Sequence, residues 1–438
     1  MSPGDTAGAS SSGDALHRFV SELYPICRSL TGEGVRRTLA AIGRHIPLDV
    51  REVPSGTRVF DWTVPLEWNI RDAYVKDRAG RKVIDFARSN LHVMGYSEPV
   101  RARVAREELD AHLFSLPDHP EWIPYRTSYY QRAWGFCVTE RQRAALTDDE
   151  YEVLIDTSLE PGHLTWGECV LPGETTDEIL ISCHVCHPSL CNDNLSGIAV
   201  ATFLARQLGQ ERRRHTIRVL FIPGTIGSIT WLGQHEGAAA KVRHGMVLTC
   251  LGDAGAVTYK QTRRGDTPID RAAAHVLQHA GRPFTIEPFS PWGYDERQYN
   301  SPGFDMPVGC LMRTPHGRFP EYHTSADNLD LVRPEALADS LATALAIVRV
   351  VDRDARYMNL NPKCEPQLGT RGLYGAIGGV ADAPRRQMAM LWVLNLSDGH
   401  HPLLEIATRA AMPFAEVVEA ADLLLQHGLL GPCETARA

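Results

Sequence analysis

The sequence predicts an α/β protein built on a mixed, mostly parallel sheet with helices on both faces. A small inserted β domain and a small C-terminal helical, winged-helix-like domain are added to it. Three observations predict this. Short apolar runs alternate with helical stretches from Tyr151 to Arg353, the signature of a parallel sheet covered by helices. Between Val50 and about Asp156 the runs are short, near-alternating and divided by turn residues, which reads as β structure. After Arg353 a polar, turn-rich link leads into three helical stretches. The expected organisation is a disordered tail over residues 1–15, a core over 16–49 and 151–353, an insert over 50–150 and a C-terminal domain over 354–438.

The small, polar start, MSPGDTAGASSSGDA, is the expected tail. Phe19, Leu23, Ile26 and Leu30, then Val35, Leu39 and Ile42, stand at helical spacing on either side of Thr31-Gly32-Glu33-Gly34. Two short helices round a turn fit best. Arg28, Arg36 and Arg37 there either face an anion or lie on a solvated face. The insert precedes every candidate ligand below and is placed to cover a site.

In the core, 152–156 and 178–183 read as strands, 199–208 as helix, 215–222 as strand, 230–240 as helix and 245–251 as strand. Then 268–278 reads as helix, 307–311 as strand and 334–351 as a long apolar helix. The C-terminal stretches 385–395, 402–407 and 413–427 read as helices. The last carries Glu416, Glu419 and Asp422, which would repel phosphates, so a packing or oligomerisation module is expected and with it a homo-oligomer.

At 438 residues, 43% hydrophobic and 22% charged, the chain has the make-up of a soluble globular protein. A formal charge of -8 gives no support to a nucleic-acid or anionic-membrane partner. No apolar run reaches membrane-spanning length, and the start lacks the basic-then-apolar pattern of a signal peptide, so a cytoplasmic protein is expected. Cys169, Cys183, Cys186 and Cys191 crowd one region. They read as small buried hydrophobes near a site, with Cys186 or Cys191 as the alternative metal ligand.

The stretch from Ile179 to Gly197 organises the rest. An apolar strand ends at His184, and Asp193 follows just before the next helix. Strand ends and helix starts are where open α/β sheets hold ligands. Imidazole and carboxylate together suit zinc. Asn194 and Ser196 can satisfy nearby backbone, and Gly197 lets the helix start close to the sheet. The plain alternative for Asp193 is a helix cap.

Asp253 follows another strand, as a ligand, a carboxylate that holds a ligating histidine, or a loop residue. Lys260, Arg263 and Arg264 are candidates to bind a substrate carboxylate or phosphate. In Trp292–Tyr299 the adjacent Asp295 and Glu296 are candidates to take a proton from water, and Tyr299 is a candidate substrate contact. In HGRFPEYHTSADN, His323 is the best third ligand, Glu321 a further acid, and Asp327 orients a ring nitrogen or caps the next helix.

The order His184, then Asp193-Asn194-Leu195-Ser196-Gly197, then Thr225-Ile226-Gly227-Ser228, then His323-Thr324-Ser325-Ala326-Asp327-Asn328 resembles the M28-type zinc aminopeptidases. More narrowly, residues 16 to 430 resemble the aminopeptidase-like proteins of bacterial polysaccharide and natural-product gene neighbourhoods, with their inserted β domain and C-terminal winged-helix-like domain. The segments RSLTGEGVRRTL, DERQYNSPGFDMPVG and RTPHGRFPEYHTSADN carry this likeness. The resemblance implies a zinc-dependent hydrolase of small amide or peptide substrates. His184, Asp193 and His323 match family ligands, and Asp253 matches a later aspartate loosely.

Where that family carries a Glu-Glu pair, this chain has Phe221-Ile222. One zinc on His184, Asp193 and His323 is therefore expected, with a base from Glu296, Asp295 or Glu321, in that order. The other readings are a zinc-containing binding or scaffold protein without catalysis, and an amide-forming transferase or cyclase on the same fold.

Overall fold

The computed structural model describes residues 3–373 and 383–433. Residues 1–2 of the expected tail and 374–382 and 434–438 of the expected C-terminal domain lie outside them. The chain divides into two compact units, one of residues up to Gly265 with Pro283–Ala344, the other of Asp266–Arg282 with the chain from Leu345 on.

The first unit is organised by an eight-stranded mixed sheet flanked by helices. Its order across the sheet is Asp49–Pro54, His163–Leu171, Thr216–Ile222, Glu178–His184, Val242–Leu248, Val308–Met312, Val257–Lys260 and Phe284–Glu287. The four middle strands, from Thr216–Ile222 to Val308–Met312, run parallel. Each residue of Glu178–His184 is buried, because a central parallel strand is covered on both faces. That is why Ile179-Leu180-Ile181 is continuous rather than alternating. The helix Gly197–Leu208 is buried on nearly every side. A Cβ at Gly197 would stand 2.6 Å from Leu248 O, so only glycine lets this helix begin so close to the sheet.

Three expectations change here. The tail expected over residues 1–15 is helical from Pro3, in a helix Pro3–Leu23 whose Leu16, Phe19, Val20 and Leu23 are buried at helical spacing. The strand expected to open the core at Tyr151 is Glu150–Glu160, and it pairs with Glu67–Lys76 and Val100–Ala105 in a separate four-stranded sheet. Its alternating burial marks a sheet packed on one face. Conversely, Asp49–Pro54 pairs with His163–Leu171 in the main sheet, so the extra β region lies between those two strands. The helix expected over 230–240 is instead two, Ile226–Gln234 and Glu236–Ala239.

The second unit holds the helices Ala383–Leu396, Leu403–Ala410 and Phe414–Gln426 and a three-stranded antiparallel sheet of Asp398–Pro402, Arg356–Asn359 and Leu430–Pro432. Helices with a small sheet make a winged-helix domain. The helix Pro268–His279 groups with this unit, with the His275 ring against Phe414. Two acids of the last long helix are ion-paired, Glu416 with Arg385 and Asp422 with Arg353. Among the described residues no helix is long and apolar enough to cross a membrane.

Candidate metal centre

The strand Glu178–His184 delivers His184 to its C-terminal end, and the irregular turn Cys191–Ser196 returns Asp193 to it. Both are fully buried. His184 Nε2 lies 2.8 Å from Asp193 Oδ1, and His323 Nε2 lies 3.0 Å from Asp193 Oδ2. The three residues expected as ligands thus meet on one carboxylate, with an imidazole on each oxygen.

A histidine that the sequence reading passed over joins them. His187 Nδ1 stands 3.7 Å from Asp193 Oδ1, is buried, and has no hydrogen-bond partner. Burial holds its pKa well below the ordinary value, against the pull of Asp193, which favours the neutral form that ligates a cation. An orphaned buried nitrogen beside a carboxylate suits a cation ligand. Ligand atoms of His184, His187 and Asp193 all lie within 4.8 Å of one another. Burial would raise the Asp193 pKa, but His187, His184 and His323 outweigh it and hold the carboxyl well below the usual range. The donor set fits a borderline-soft cation such as zinc.

Two arrangements hold these side chains still. Asp327 accepts from the backbone N–H groups of Asn192 (2.5 Å) and Asp193 (3.0 Å), so it fixes the aspartate loop rather than a ring nitrogen. Burial raises its pKa to about 7. Arg28, expected to face either an anion or solvent, is buried and donates to the carbonyls of His187, Pro188 and Leu23. It clamps the segment that carries His187. Asp327→Ala leaves two buried amides without acceptors and is expected to cost about 2–5 kcal/mol, read as a fall in the melting temperature.

Aromatic rings wall the site. Tyr294 stacks on His184 with ring centroids 3.7 Å apart, and Tyr322 stacks on His323 at 3.9 Å. A Cβ at Gly224 would stand 2.1 Å from Tyr294 Oη, so glycine there admits the tyrosine. From the β region, Tyr125 packs edge-on against both His187 and His323 and shares a 3.0 Å hydrogen bond with Tyr129. Its segment is tied down by Tyr125 N to His323 O and by Ser325 N to Ile123 O. The insert covers the centre, as its place in the chain suggested.

The other sequence candidates separate. Asp295 is buried, and its Oδ1 accepts from Thr225 N at 2.7 Å and Ser228 Oγ at 3.0 Å. Its Oδ2 has no partner, and burial pushes its pKa up to about 6. Thr225 caps, and Ser228 lies in, the helix Ile226–Gln234 that follows Thr216–Ile222, the strand whose end lacks the Glu-Glu pair. Ile222 there stands beside His184 in register.

Glu296, ranked first as base, is bound to Lys260 at 2.7 Å and accepts from Tyr294 N, so it is a structural ion pair. Glu321 lies in the loop before His323, where its carbonyl accepts from Thr324. Asp253 accepts from Asn192, Gly255 and Thr314, which makes it an organiser of its loop. Arg263 and Arg264 both pair with Asp305, which removes them as an anchor for a substrate anion. Tyr299 is fully buried and bonded to Ser182 Oγ at 2.9 Å, so it is a core residue and not a substrate contact. Cys186 Sγ is occupied by Tyr294 Oη and Gly224 N, both at 3.3 Å.

Fold and site together define an α/β protein with an aminopeptidase-like fold. Residues 17–354 match the family described as "Domain of unknown function (DUF4910)", and residues 355–432 match a winged helix-turn-helix family. The chain belongs to the DUF4910 family.

It is 50% identical over 422 residues to a Clostridium acetobutylicum protein named as a candidate polysaccharide biosynthesis protein with an aminopeptidase-like domain, covering 96% of this chain and 97% of that one. The crystal structure of a candidate peptidase from Clostridium acetobutylicum superposes with a TM-score of 0.92 at 48% identity, covering 97% of both chains. BSAP, a zinc aminopeptidase from Bacillus subtilis, shares the fold at a TM-score of 0.57 and 13% identity, over 78% of this chain and 95% of that one.

Proposed function

We propose that the protein is a zinc-dependent amidohydrolase acting on a small amide or dipeptide-like molecule in a biosynthetic pathway. One observation carries the reading: three imidazoles converge on Asp193, and a second buried carboxylate, Asp295, keeps an oxygen unpartnered. His184, Asp193 and His323, with His187 added, would hold the ion. When bound, zinc supplies Lewis acidity, which polarises a carbonyl and acidifies water.

The chain's own groups do the rest. Asp295 Oδ2 takes a proton from water and returns it to the leaving amine; its pKa near 6 suits a base that works at neutral pH. The tyrosine hydroxyls stay protonated, since burial raises the pKa of Tyr125 and Tyr294, and they donate to a substrate oxygen. The covering segment with Tyr125 and Tyr129 limits the substrate to a small molecule. The name of the Clostridium acetobutylicum relative supports a substrate made during polysaccharide assembly.

The test is amine release by zinc-loaded protein from aminoacyl amides, dipeptides and amide-bearing sugars. Turnover that stops on chelation and returns with zinc is expected. A fully metallated protein that releases no amine from any of them would leave the binding-protein reading in its place, which the buried Phe221-Ile222 pair already favours.

A further inference from the structure

The β region between Asp49–Pro54 and His163–Leu171 does more than cover the centre. Its segment 123–125 lies antiparallel to the loop that carries His323, with Pro124 opposite Thr324. Three hydrogen bonds close this bridge. Tyr125 N donates to His323 O at 2.8 Å, Ser325 N to Ile123 O at 2.8 Å, and Ile123 N to Ser325 Oγ at 2.9 Å. Just beyond, the chain is pinned into the β region, where Gly95 N donates to Arg126 O and Ser128 N to Gly95 O. The segment is thus a strap, held by the insert at one end and bonded along its edge to the His323 loop.

Its side chains reach the other ligand loop. Ile123 shares one buried apolar cluster with Leu91 and Cys137 of the β region and with Leu190, which lies between His187 and Asp193. The Tyr125 ring stands edge-on to His187 and His323, with centroids 5.3 and 5.1 Å away.

Of the four ligand side chains, His323 has most need of such support. Those of His184 and Asp193 are fully buried and that of His187 is 6% exposed, whereas that of His323 is 34% exposed. His323 also adopts φ 57°, in the left-handed region. That conformation is unfavourable for a residue with a Cβ and persists where surrounding contacts impose it. Asp327 ties the far end of the loop to the Asp193 turn, since its carbonyl accepts from Cys191 N and its carboxylate from Asn192 N and Asp193 N. At His323 itself the strap supplies the bonds.

We propose that this strap sets the conformation in which His323 binds metal, so that the insert completes the centre. Ser325 is the positioning residue, because its N–H and its hydroxyl both engage the strap. The coupling is reciprocal: a docked strap raises metal affinity, and bound metal strengthens docking. The strap acts through the backbone of His323, so its effect on affinity vanishes when that imidazole is removed. The inference rests on the proposed function in one respect, that His323 is a metal ligand.

The experiment measures zinc affinity of metal-free, full-length protein by competition with a chromophoric chelator. The parent, Ser325→Ala, His323→Ala and the double variant make a cycle. Ser325→Ala removes the acceptor of Ile123 N and is expected to weaken zinc binding about 10-fold, the low end for partners of metal ligands. Ser325→Thr keeps a hydroxyl and is expected to restore it. In the His323→Ala background, which His184, His187 and Asp193 keep measurable at higher zinc, Ser325→Ala is expected to change nothing. Hydrogen exchange is the second readout: zinc is expected to slow the Tyr125 and Ser325 amides in the parent. Parent-like affinity in Ser325→Ala, or amides indifferent to zinc, overturns the strap's role. So does an equal loss in both backgrounds, the mark of a merely loosened fold, and each of these leaves the metal reading standing. Parent-like affinity in His323→Ala overturns the reading of His323 as a ligand and the strap's role with it.

Discussion

Asp193→Asn is expected to strip the protein of metal. Asp193 meets His184 on one carboxylate oxygen and His323 on the other, and His187 points a free nitrogen at it. An amide of the same shape keeps the packing and loses the anion. Losing a group that merely orients a ligand costs roughly 10–100-fold in metal affinity, so losing this one is expected to cost more than about 100-fold. Equilibrium dialysis against zinc measures it, and retention of a full equivalent would refute the site.

The same substitution tests the electrostatics. The folded Asp193 pKa is depressed, so ionisation stabilises the fold. That stability is present above the unfolded value, about 4, and is lost as pH falls through the lower folded value. Metal-free Asp193→Asn should therefore be less stable than the parent at pH 7, with the gap closing in acid. Breaking a buried charge pair by removing one partner costs about 3–5 kcal/mol, which sets the upper end of that gap.

The parts of the centre legible in the sequence are those fixed by element ends. His184 terminates an unmistakable buried strand, Asp193 precedes a helix, and His323 sits in a loop before a long helix. Residue type and position then coincide. His187 was harder, because it follows the strand in a loop with no periodicity; its only signal is the His-x-x-His spacing from His184.

The apolar run reads as strand to Leu251, but the chain turns after Leu248. The false candidates share one cause. Arg263, Arg264 and Glu296 carry the right charge, but the partners that neutralise them, Asp305 and Lys260, are 36 or more residues away in sequence. Tyr299 is misjudged for a related reason: its short helix turns it onto Ser182, which only the fold reveals.

Asp295→Asn is expected to slow amide hydrolysis by about 10²–10⁴-fold while metal content stays the same. The asparagine oxygen still accepts from Thr225 N and Ser228 Oγ, so the turn keeps its shape, but no group remains at Oδ2 to take a proton. In the parent, kcat/KM should fall as pH drops through about 6, where burial has raised the Asp295 pKa, and that limb should vanish from the residual activity of the variant.

Stability should move the other way. The folded pKa of Asp295, about 6, lies above the unfolded value, so the associated stability is complete below the unfolded value and lost as pH rises through about 6. At pH 7–8 the parent carries the cost of an ionised, half-satisfied carboxylate. Replacing it should stabilise the protein by about 1–3 kcal/mol. A slower, more stable protein with an unchanged metal load is the signature of a buried base. Unchanged turnover would move the role to Glu321, because Glu296 is held by Lys260.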